Sequence, residues 1–123
     1  MKKSKNYGGL EAKYVKELAS ITIASIALSK AAAVVLEEMH RDDSDHGDIQ
    51  SGWLNSPYRL MLNLERDTAD FEAKVKADAD FSEAHKQGFI ASFIDPVKAG
   101  NKRARDLDAY IMSGVIPSDL SKW

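Results

Sequence analysis

Residues 18–36 read LASITIASIALSKAAAVVL and contain a single charged residue, Lys30. Neither proline nor glycine occurs between Leu10 and His40, and the alanine, leucine, lysine and glutamate of this segment favour a helix. We therefore predict one long helix over residues 10–40. The first half is amphipathic, whereas the second half is apolar on nearly all sides, a pattern typical of a helix that is covered on most faces.

Such a helix is a rod about 45 Å long, whereas a compact domain of this length is only about 35 Å across. We expect the rest of the chain to cover two sides of the rod, and a second copy of the chain to cover more. The alternative, a monomer whose other helices wrap the first, stays open. Small residues permit close helix approach, and the predicted oligomer interface consists of Ala24, Ser25, Leu28, Ser29, Ala32, Ala33 and Leu36.

A membrane span is the competing interpretation of the same segment, since it is long enough to cross a bilayer. Lys30 would cost roughly 2.5–3.5 kcal/mol at the bilayer centre, and serine and threonine dilute the hydrophobicity. The lysines at positions 2, 3 and 5 resemble the start of a signal peptide, but no apolar stretch follows them directly. We expect a soluble, cytoplasmic protein and no membrane partner.

The remaining chain predicts further helices and no strands. Ser56 and Pro57 begin a helix over residues 57–78, with Leu60, Met61, Leu64, Phe71 and Val75 as its buried stripe and Thr68 filling the gap. A third helix over residues 82–113, with Ser82 as its cap, is kinked or split at Pro96. Its apolar residues at helical spacing are Ile90, Ile94, Val97, Ala104, Leu107 and Ile111. Residues 1–9 are interpreted as a flexible basic tail, and residues 41–48 as a polar loop, with an extension to Gly52 left open. The fold class is all-α, a bundle of about four helices in a single domain over residues 10–123.

Composition excludes several functions. The chain has no cysteine, which removes disulfide frameworks, thiol nucleophiles, cysteine zinc sites and iron–sulfur clusters, and fits a reducing compartment. Seventeen Lys and Arg stand against 19 Asp and Glu, so the chain is not strongly basic. No phosphate-binding loop or nucleophile elbow is present. We expect no cofactor and no catalytic residues.

The acidic residues do not complete any known metal-binding pattern. With Gly47 at the sixth position of a calcium loop, Trp53 falls at the twelfth, where a bidentate carboxylate is required. Glu37 and His40 have the spacing of half a di-iron site, but a second half is missing. Glu37 and Glu38, with Asp67 and Asp70, leave open a helical metal-dependent nucleotide hydrolase as an alternative function, although a solvated face explains them better. We expect no metal site.

The clearest charge feature is a basic ridge, Lys98, Lys102 and Arg105, within one narrow sector of a helix. Three interpretations of this ridge stay open: a solvated helix face, a surface that contacts nucleic-acid phosphates, and a surface that contacts an acidic protein. Trp53 and Tyr58 lie between helices, where aromatic residues act as lids on the core or as anchors for a partner. The candidate partner-binding residues are Lys98, Lys102, Arg103, Arg105, Trp53 and Tyr58.

These features favour a non-enzymatic, self-associating helical interaction module that acts as an inhibitor, an adaptor or an assembly subunit for a macromolecular partner. A virus- or plasmid-encoded regulator of a host protein, working in the host cytoplasm, fits this description. A nucleic-acid-binding regulator that uses residues 98–105 is the main alternative.

Overall fold

The computed structural model describes residues 7–41 and 46–113, and the regular structure in these ranges is entirely helical, which confirms the all-α prediction. A 3₁₀ turn at Tyr7–Gly9 precedes the first helix, and a π-helical segment, Ile90–Ile94, precedes the last. The α-helices are α1 (Leu10–Lys13), α2 (Val15–Met39), α3 (His46–Asn55), α4 (Pro57–Ala77), α5 (Glu83–Phe89) and α6 (Asp95–Ser113).

The core lies between the three long helices, α2, α4 and α6, each of which contacts the other two. Helix α4 runs antiparallel to α2. This direction is seen in the 3.3 Å ion pair between Lys74, near the end of α4, and Glu17, near the start of α2. Helix α6 runs antiparallel to α4, since Lys98 pairs with Glu72 and Arg105 with Glu65, and it therefore runs in the same direction as α2. Helices α4 and α6 occupy two sides of α2, and α3 also contacts it.

The predicted buried stripes of the second and third segments are confirmed. Helix α4 buries Met61, Leu64, Thr68, Phe71 and Val75, while Leu60 is only partly buried. The stripe through the π-helical segment and α6 buries Ile90, Ile94, Val97, Ala104, Leu107 and Ile111. Helical periodicity therefore identified these core residues correctly.

The predicted helix over residues 10–40 is interrupted at Tyr14, whose φ of −109° and ψ of 26° lie outside the α-helical region. The hydrogen bonds from Tyr14 N to Leu10 O (3.0 Å) and from Leu18 N to Tyr14 O (2.9 Å) continue across the interruption. The change of direction lets Lys13 and Tyr14 together reach Asp78 at the end of α4.

The kink or split predicted at Pro96 takes the form of the π-helical segment. Proline has no amide hydrogen and its ring clashes with the carbonyl four residues earlier in an α-helix. The Asp95 amide instead donates to the carbonyl of Ile90, five residues back. The wider turn leaves room for the proline ring, so α5, the π-helical segment and α6 follow one another without a loop.

The prediction of a polar loop between Arg41 and Gly52 is wrong in its second part, because His46–Asn55 forms α3. Glycines at positions 47 and 52 disfavour a helix, but Ile49 and Trp53 lie one turn apart and both are buried. Tertiary packing of these two side chains therefore outweighs the weak local preference. Residues 42–45, which carry most of the predicted acidic loop, lie outside the described residues.

The flexible tail predicted over residues 1–9 also needs correction in its last part. The ring of Tyr7 makes edge contacts with Phe89 and Phe93, and its hydroxyl lies 2.6 Å from the Ser92 hydroxyl. Gly8 has a φ of +75°, and a β-carbon there would lie 2.7 Å from the His85 ring, so only glycine fits. Residues 1–6, with the lysines of the predicted tail, lie outside the described residues.

A candidate interaction surface on the second helix

The outward side of α2 is exposed and apolar. Ile23, Ile26 and Val34 are 68%, 53% and 62% exposed, although α2 has the composition of a core helix. A helix of this length is about 37 Å long and 10–12 Å wide, so its outer face has a projected area on the order of 400 Å². Soluble monomers rarely expose contiguous apolar patches larger than a few hundred Å², so this face is a candidate interaction surface.

Two parallel rows of exposed residues make up this face, each with the alternating four- and three-residue spacing of a coiled-coil seam. We name the row beside α6 the groove stripe and the row beside α4 the edge stripe. The groove stripe comprises Val15, Ala19, Thr22, Ile26, Ser29 and Ala33. The edge stripe comprises Lys16, Ser20, Ile23, Ala27, Lys30 and Val34.

Beside the groove stripe, α2 and α6 enclose an apolar groove of about 250 Å³. Small side chains dominate its walls, because Gly100 and Ala104 of α6 face serines and alanines of α2. Two charged residues, Arg103 and Glu37, also line it. Within the described part of the chain, neither of these side chains forms an ion pair.

The predicted interface residues divide between this groove and the core. Leu28 and Leu36 are 3% and 6% exposed, so they pack within the monomer and form the floor of the groove. Ser29 and Ala33 are exposed on its wall, whereas Ala24, Ser25 and Ala32 are partly buried. The set predicted from the sequence does not include Ile23, Ile26 and Val34, the most exposed large apolar residues in this part of α2. The four- and three-residue spacing of the two stripes to which they belong is the signal that could have found them.

The basic ridge is neutralised by acidic side chains. Lys98 pairs with Glu72 at 2.9 Å, Arg105 with Glu65 at 2.6 Å and Lys102 with Asp106 at 3.1 Å. The hydrogen bond from Lys98 is the main cause that lowers the pKa of Glu72, which keeps the carboxylate charged. Arg103 lies apart from the ridge and faces the groove. The ridge is thus a row of three salt bridges, two between α6 and α4 and one within α6, with little free positive charge.

Trp53 and Tyr58 cover the core. Trp53 is fully buried, and its indole N–H donates a 2.8 Å hydrogen bond to Asp108 of α6. Tyr58 is half-buried against the core. A partner that docks on the folded chain therefore cannot reach Trp53, which has the role of a lid. Trp123 lies outside the described residues.

Asp78 forms the most polar buried centre of the described chain. Its carboxylate accepts hydrogen bonds of 2.6 Å from both the Lys13 ammonium and the Tyr14 hydroxyl, and a third from the Asp80 amide. These hydrogen bonds lower the pKa of Asp78 from 3.8 to about 2, and the bond from Lys13 has the largest effect. Lys86 donates to the carbonyls of Lys76 and Asp78, which closes the end of α4. The cluster fastens α1 and α5 to α4.

A polar cleft between α4 and α6 contains a single unsatisfied buried atom, the Oδ1 of Asn101, among the side chains that the structure describes. The Thr68 hydroxyl donates to the Leu64 carbonyl, so its oxygen accepts the 3.3 Å hydrogen bond from the Asn101 amide. This fixes the amide orientation and leaves Oδ1 without a donor.

The acidic residues considered for metal binding are not brought together. Asp67 and Asp70 lie beside the start of α2, near Lys16, whereas Glu38 lies beside Ile49 and Pro57 at the other end of the antiparallel pair. Glu38 and Asp67 instead pair with Arg41 and Arg66. No group of three or more His, Asp or Glu positioned for a metal ion occurs within residues 7–41 and 46–113.

Comparisons with known protein families, curated proteins and solved structures found no match to this chain. Among the described helices, α2 alone is long and apolar enough to cross a membrane, with a mean hydropathy of 1.8, and 11% of its most apolar part is buried. The surface of α2 is therefore the feature from which a function has to be argued.

Proposed function

We propose that this protein is a non-enzymatic helical interaction module that self-associates through α2 and acts on a macromolecular partner as an inhibitor, adaptor or assembly subunit. The observation that carries the proposal is the exposed apolar face of α2. Full burial of an isoleucine or valine side chain contributes about 1.5–3 kcal/mol. Covering the exposed half or more of Ile23, Ile26 and Val34 would therefore contribute about 1 kcal/mol for each residue.

Two surfaces of α2 support two different contacts. The groove stripe has no charge and, apart from Val15 and Ile26, only small side chains, which suits close approach of another helix in a self-associated form. The edge stripe has Lys16 and Lys30 beside Ile23 and Val34, a mixed surface of the kind found where one protein docks on another. We assign the edge stripe to the partner, in a cytoplasmic setting that a cysteine-free chain fits.

The salt bridges of the basic ridge count against the nucleic-acid alternative, since phosphate binding depends on cations that are free to replace counterions. The separation of Glu38 from Asp67 counts against a metal-dependent nucleotide hydrolase, which needs these carboxylates on one ion. Neither alternative has an observation in its favour that matches the exposed face of α2.

A lipid bilayer is the second candidate for what covers α2, because this helix has the length and hydropathy of a membrane span. A spanning arrangement would remove Ile21, Leu28 and Leu36 from a core in which they are buried. It would also place Lys30, which forms no ion pair within the described chain, near the centre of the bilayer, at a cost of roughly 2.5–3.5 kcal/mol. Contact with protein preserves the core and lets Lys30 extend into water.

Co-purification of two differently tagged copies of the chain tests self-association. We expect the wild-type copies to purify together, and Ile26→Glu in both copies to abolish this, because it places a charge in the groove stripe. Leu62→Glu is the matched control, since Leu62 is a 39% exposed apolar residue on α4. Copies that fail to purify together in the wild type would refute self-association.

Two further measurements separate the partner from a membrane and from nucleic acid. Ile23→Glu/Val34→Glu should abolish capture of a partner protein from cells that express the chain, and capture by the wild type should be insensitive to salt. Flotation with anionic lipid vesicles should leave the wild type in the unbound fraction. Vesicle binding that Ile23→Glu removes would replace the protein partner by a lipid surface.

A further inference from the structure

The charges of the α2–α6 groove lie at its opposite ends. A β-carbon at Gly100 would be 3.7 Å from the Arg103 guanidinium and 3.7 Å from the Ser25 hydroxyl, so Arg103 lies level with Ser25. Glu37 lines the groove twelve residues further along α2, a distance of about 18 Å at 1.5 Å per residue. A free cation therefore marks one end of the groove and a free anion marks the other.

Small side chains also line the middle of the groove. The point halfway between Ser25 and Glu37 is level with residue 31, where Ala32 and Ala33 line the groove. Ser29 and Ala33 of the groove stripe are exposed on either side of this point. A helix that crosses here can approach α2 closely, because no large side chain holds it away.

From this arrangement we propose that a second copy of the chain occupies the groove, in an antiparallel dimer whose two-fold axis passes α2 near residue 31. The proposal rests on the proposed function and specifies its geometry. In a two-fold interface the same patch serves both subunits, so each contact occurs twice. Arg103 of each subunit then faces Glu37 of the other, and both free charges of the groove are neutralised.

The same axis matches the shapes of the two surfaces. Residues related by it have numbers that sum to 62, so Ser29 meets Ala33 of the other copy at the centre. Ile26 of one copy lies level with Leu36 of the other copy, which lines the groove. The large side chain of Ile26 therefore fills that part of the groove. The overlap runs over residues 23–39 of each α2, about 25 Å. A parallel arrangement would bring Arg103 beside Arg103 and Glu37 beside Glu37.

The other charge on this side of α2 is compatible with the dimer. Lys30 belongs to the edge stripe, about 100° around the helix from Ser29. Its long side chain can stay in water at the flank of the interface while its methylene groups cover apolar surface. Ile23 and Val34 of the edge stripe remain outside the contact and are left for the partner.

Charge reversal at the two groove residues tests the dimer. Arg103→Glu alone places a glutamate against Glu37 twice, and Glu37→Arg alone places an arginine against Arg103 twice. We expect each variant to weaken dimerisation at least tenfold, measured by sedimentation velocity across a dilution series. Arg59→Glu, at an exposed α4 residue that forms no ion pair within the described chain, is the matched control and should leave dimerisation unchanged.

An equimolar mixture of the two single variants gives the decisive result. In a heterodimer of Arg103→Glu with Glu37→Arg, both intermolecular pairs are again of opposite charge, so the mixture should dimerise as tightly as the wild type. A mixture that stays dissociated, or an Arg103→Glu variant that dimerises normally, would overturn the antiparallel groove dimer while self-association survives. A wild type that is monomeric throughout would refute self-association and the groove dimer together.

Discussion

The Tyr14 hydroxyl donates a 2.6 Å hydrogen bond to the buried carboxylate of Asp78, 64 residues away in the chain. Lys13 donates to the same oxygen at 2.6 Å. The two hydrogen bonds tie the junction between α1 and α2 to the end of α4.

Acid should weaken the fold through Asp78. Its pKa is lowered from 3.8 to about 2 in the folded chain, so the carboxylate stabilises the fold fully above its ordinary pKa. That contribution is lost as the pH falls from about 4 towards 2. Urea unfolding at a series of pH values should show a loss of stability in this window for the wild type and a smaller loss for Asp78→Asn, which lacks the titrating group.

Asp80→Asn is the control for this pH dependence. Asp80 is exposed and lies 3.6 Å from Lys13, so it belongs to the same cluster without being buried in it. This variant should keep the wild-type loss of stability between pH 4 and 2. An Asp78→Asn variant that loses stability with pH as steeply as the wild type would contradict the assignment.

The two sides of α2 should respond differently to truncation. Leu28→Ala removes a buried side chain and should lower the free energy of unfolding by about 2–5 kcal/mol. Ile26→Ala, two residues earlier on the exposed side, should change it by no more than about 0.5 kcal/mol when the protein is dilute enough to be dissociated. Urea denaturation monitored by circular dichroism measures both, and equal losses would refute the orientation assigned to α2.

Helix capping gives a second matched pair. The Ser82 hydroxyl accepts a 3.1 Å hydrogen bond from the His85 amide at the start of α5, as its position in the sequence predicts. Ser56 has no such bond at the start of α4, where Pro57 occupies the first helical position. Ser82→Ala should therefore destabilise the fold by about 1 kcal/mol, whereas Ser56→Ala should have a much smaller effect; the reverse order in thermal melts would contradict these caps.

Local periodicity explains why much of the fold was predictable. The stripes of α4 and α6 repeat apolar residues at helical spacing over several turns, and each repeat identifies a core residue without knowledge of its neighbours. Helix α3 lacked such a signal, because its burial depends on Trp53 reaching Asp108, a residue 55 positions away. A contact at that separation follows from how the helices pack and cannot be read from local spacing.

The candidate surface was predictable only in part for the same reason. The sequence of α2 is apolar on nearly all sides, which indicated that something must cover it, but α4 and α6 decide which sides remain open. Likewise, Lys98 and Arg105 form a basic ridge in the sequence of α6. The carboxylates of Glu72 and Glu65 that neutralise this ridge come from α4, so they are visible only in the folded chain.

The basic ridge should not bind nucleic acid. With Lys98, Lys102 and Arg105 in ion pairs, few counterions are released when a phosphate backbone approaches. Fluorescence anisotropy with labelled single- and double-stranded DNA and RNA at low salt should show no saturable binding. Salt-dependent binding that Lys102→Glu/Arg105→Glu removes would instead favour the regulator that acts on nucleic acid.

Cross-linking should report the direction of the second helix. The natural chain contains no cysteine, so introduced cysteines are the only thiols present. In an antiparallel dimer, a mixture of Ser29→Cys and Ala33→Cys chains should form mixed disulfides faster than either variant forms its own. Ala109→Cys, on an exposed part of α6, is the control and should cross-link poorly. Rapid cross-linking of Ser29→Cys to itself would indicate a parallel arrangement.

We expect a second copy of the chain to cover the groove stripe of α2, and the mass of the unmodified protein at sedimentation equilibrium is the most direct check. The protein should form a species of twice the 13.6 kDa chain mass that dissociates on dilution and is weakened by Ile26→Glu. A mass of 13.6 kDa that is independent of concentration would refute the dimer.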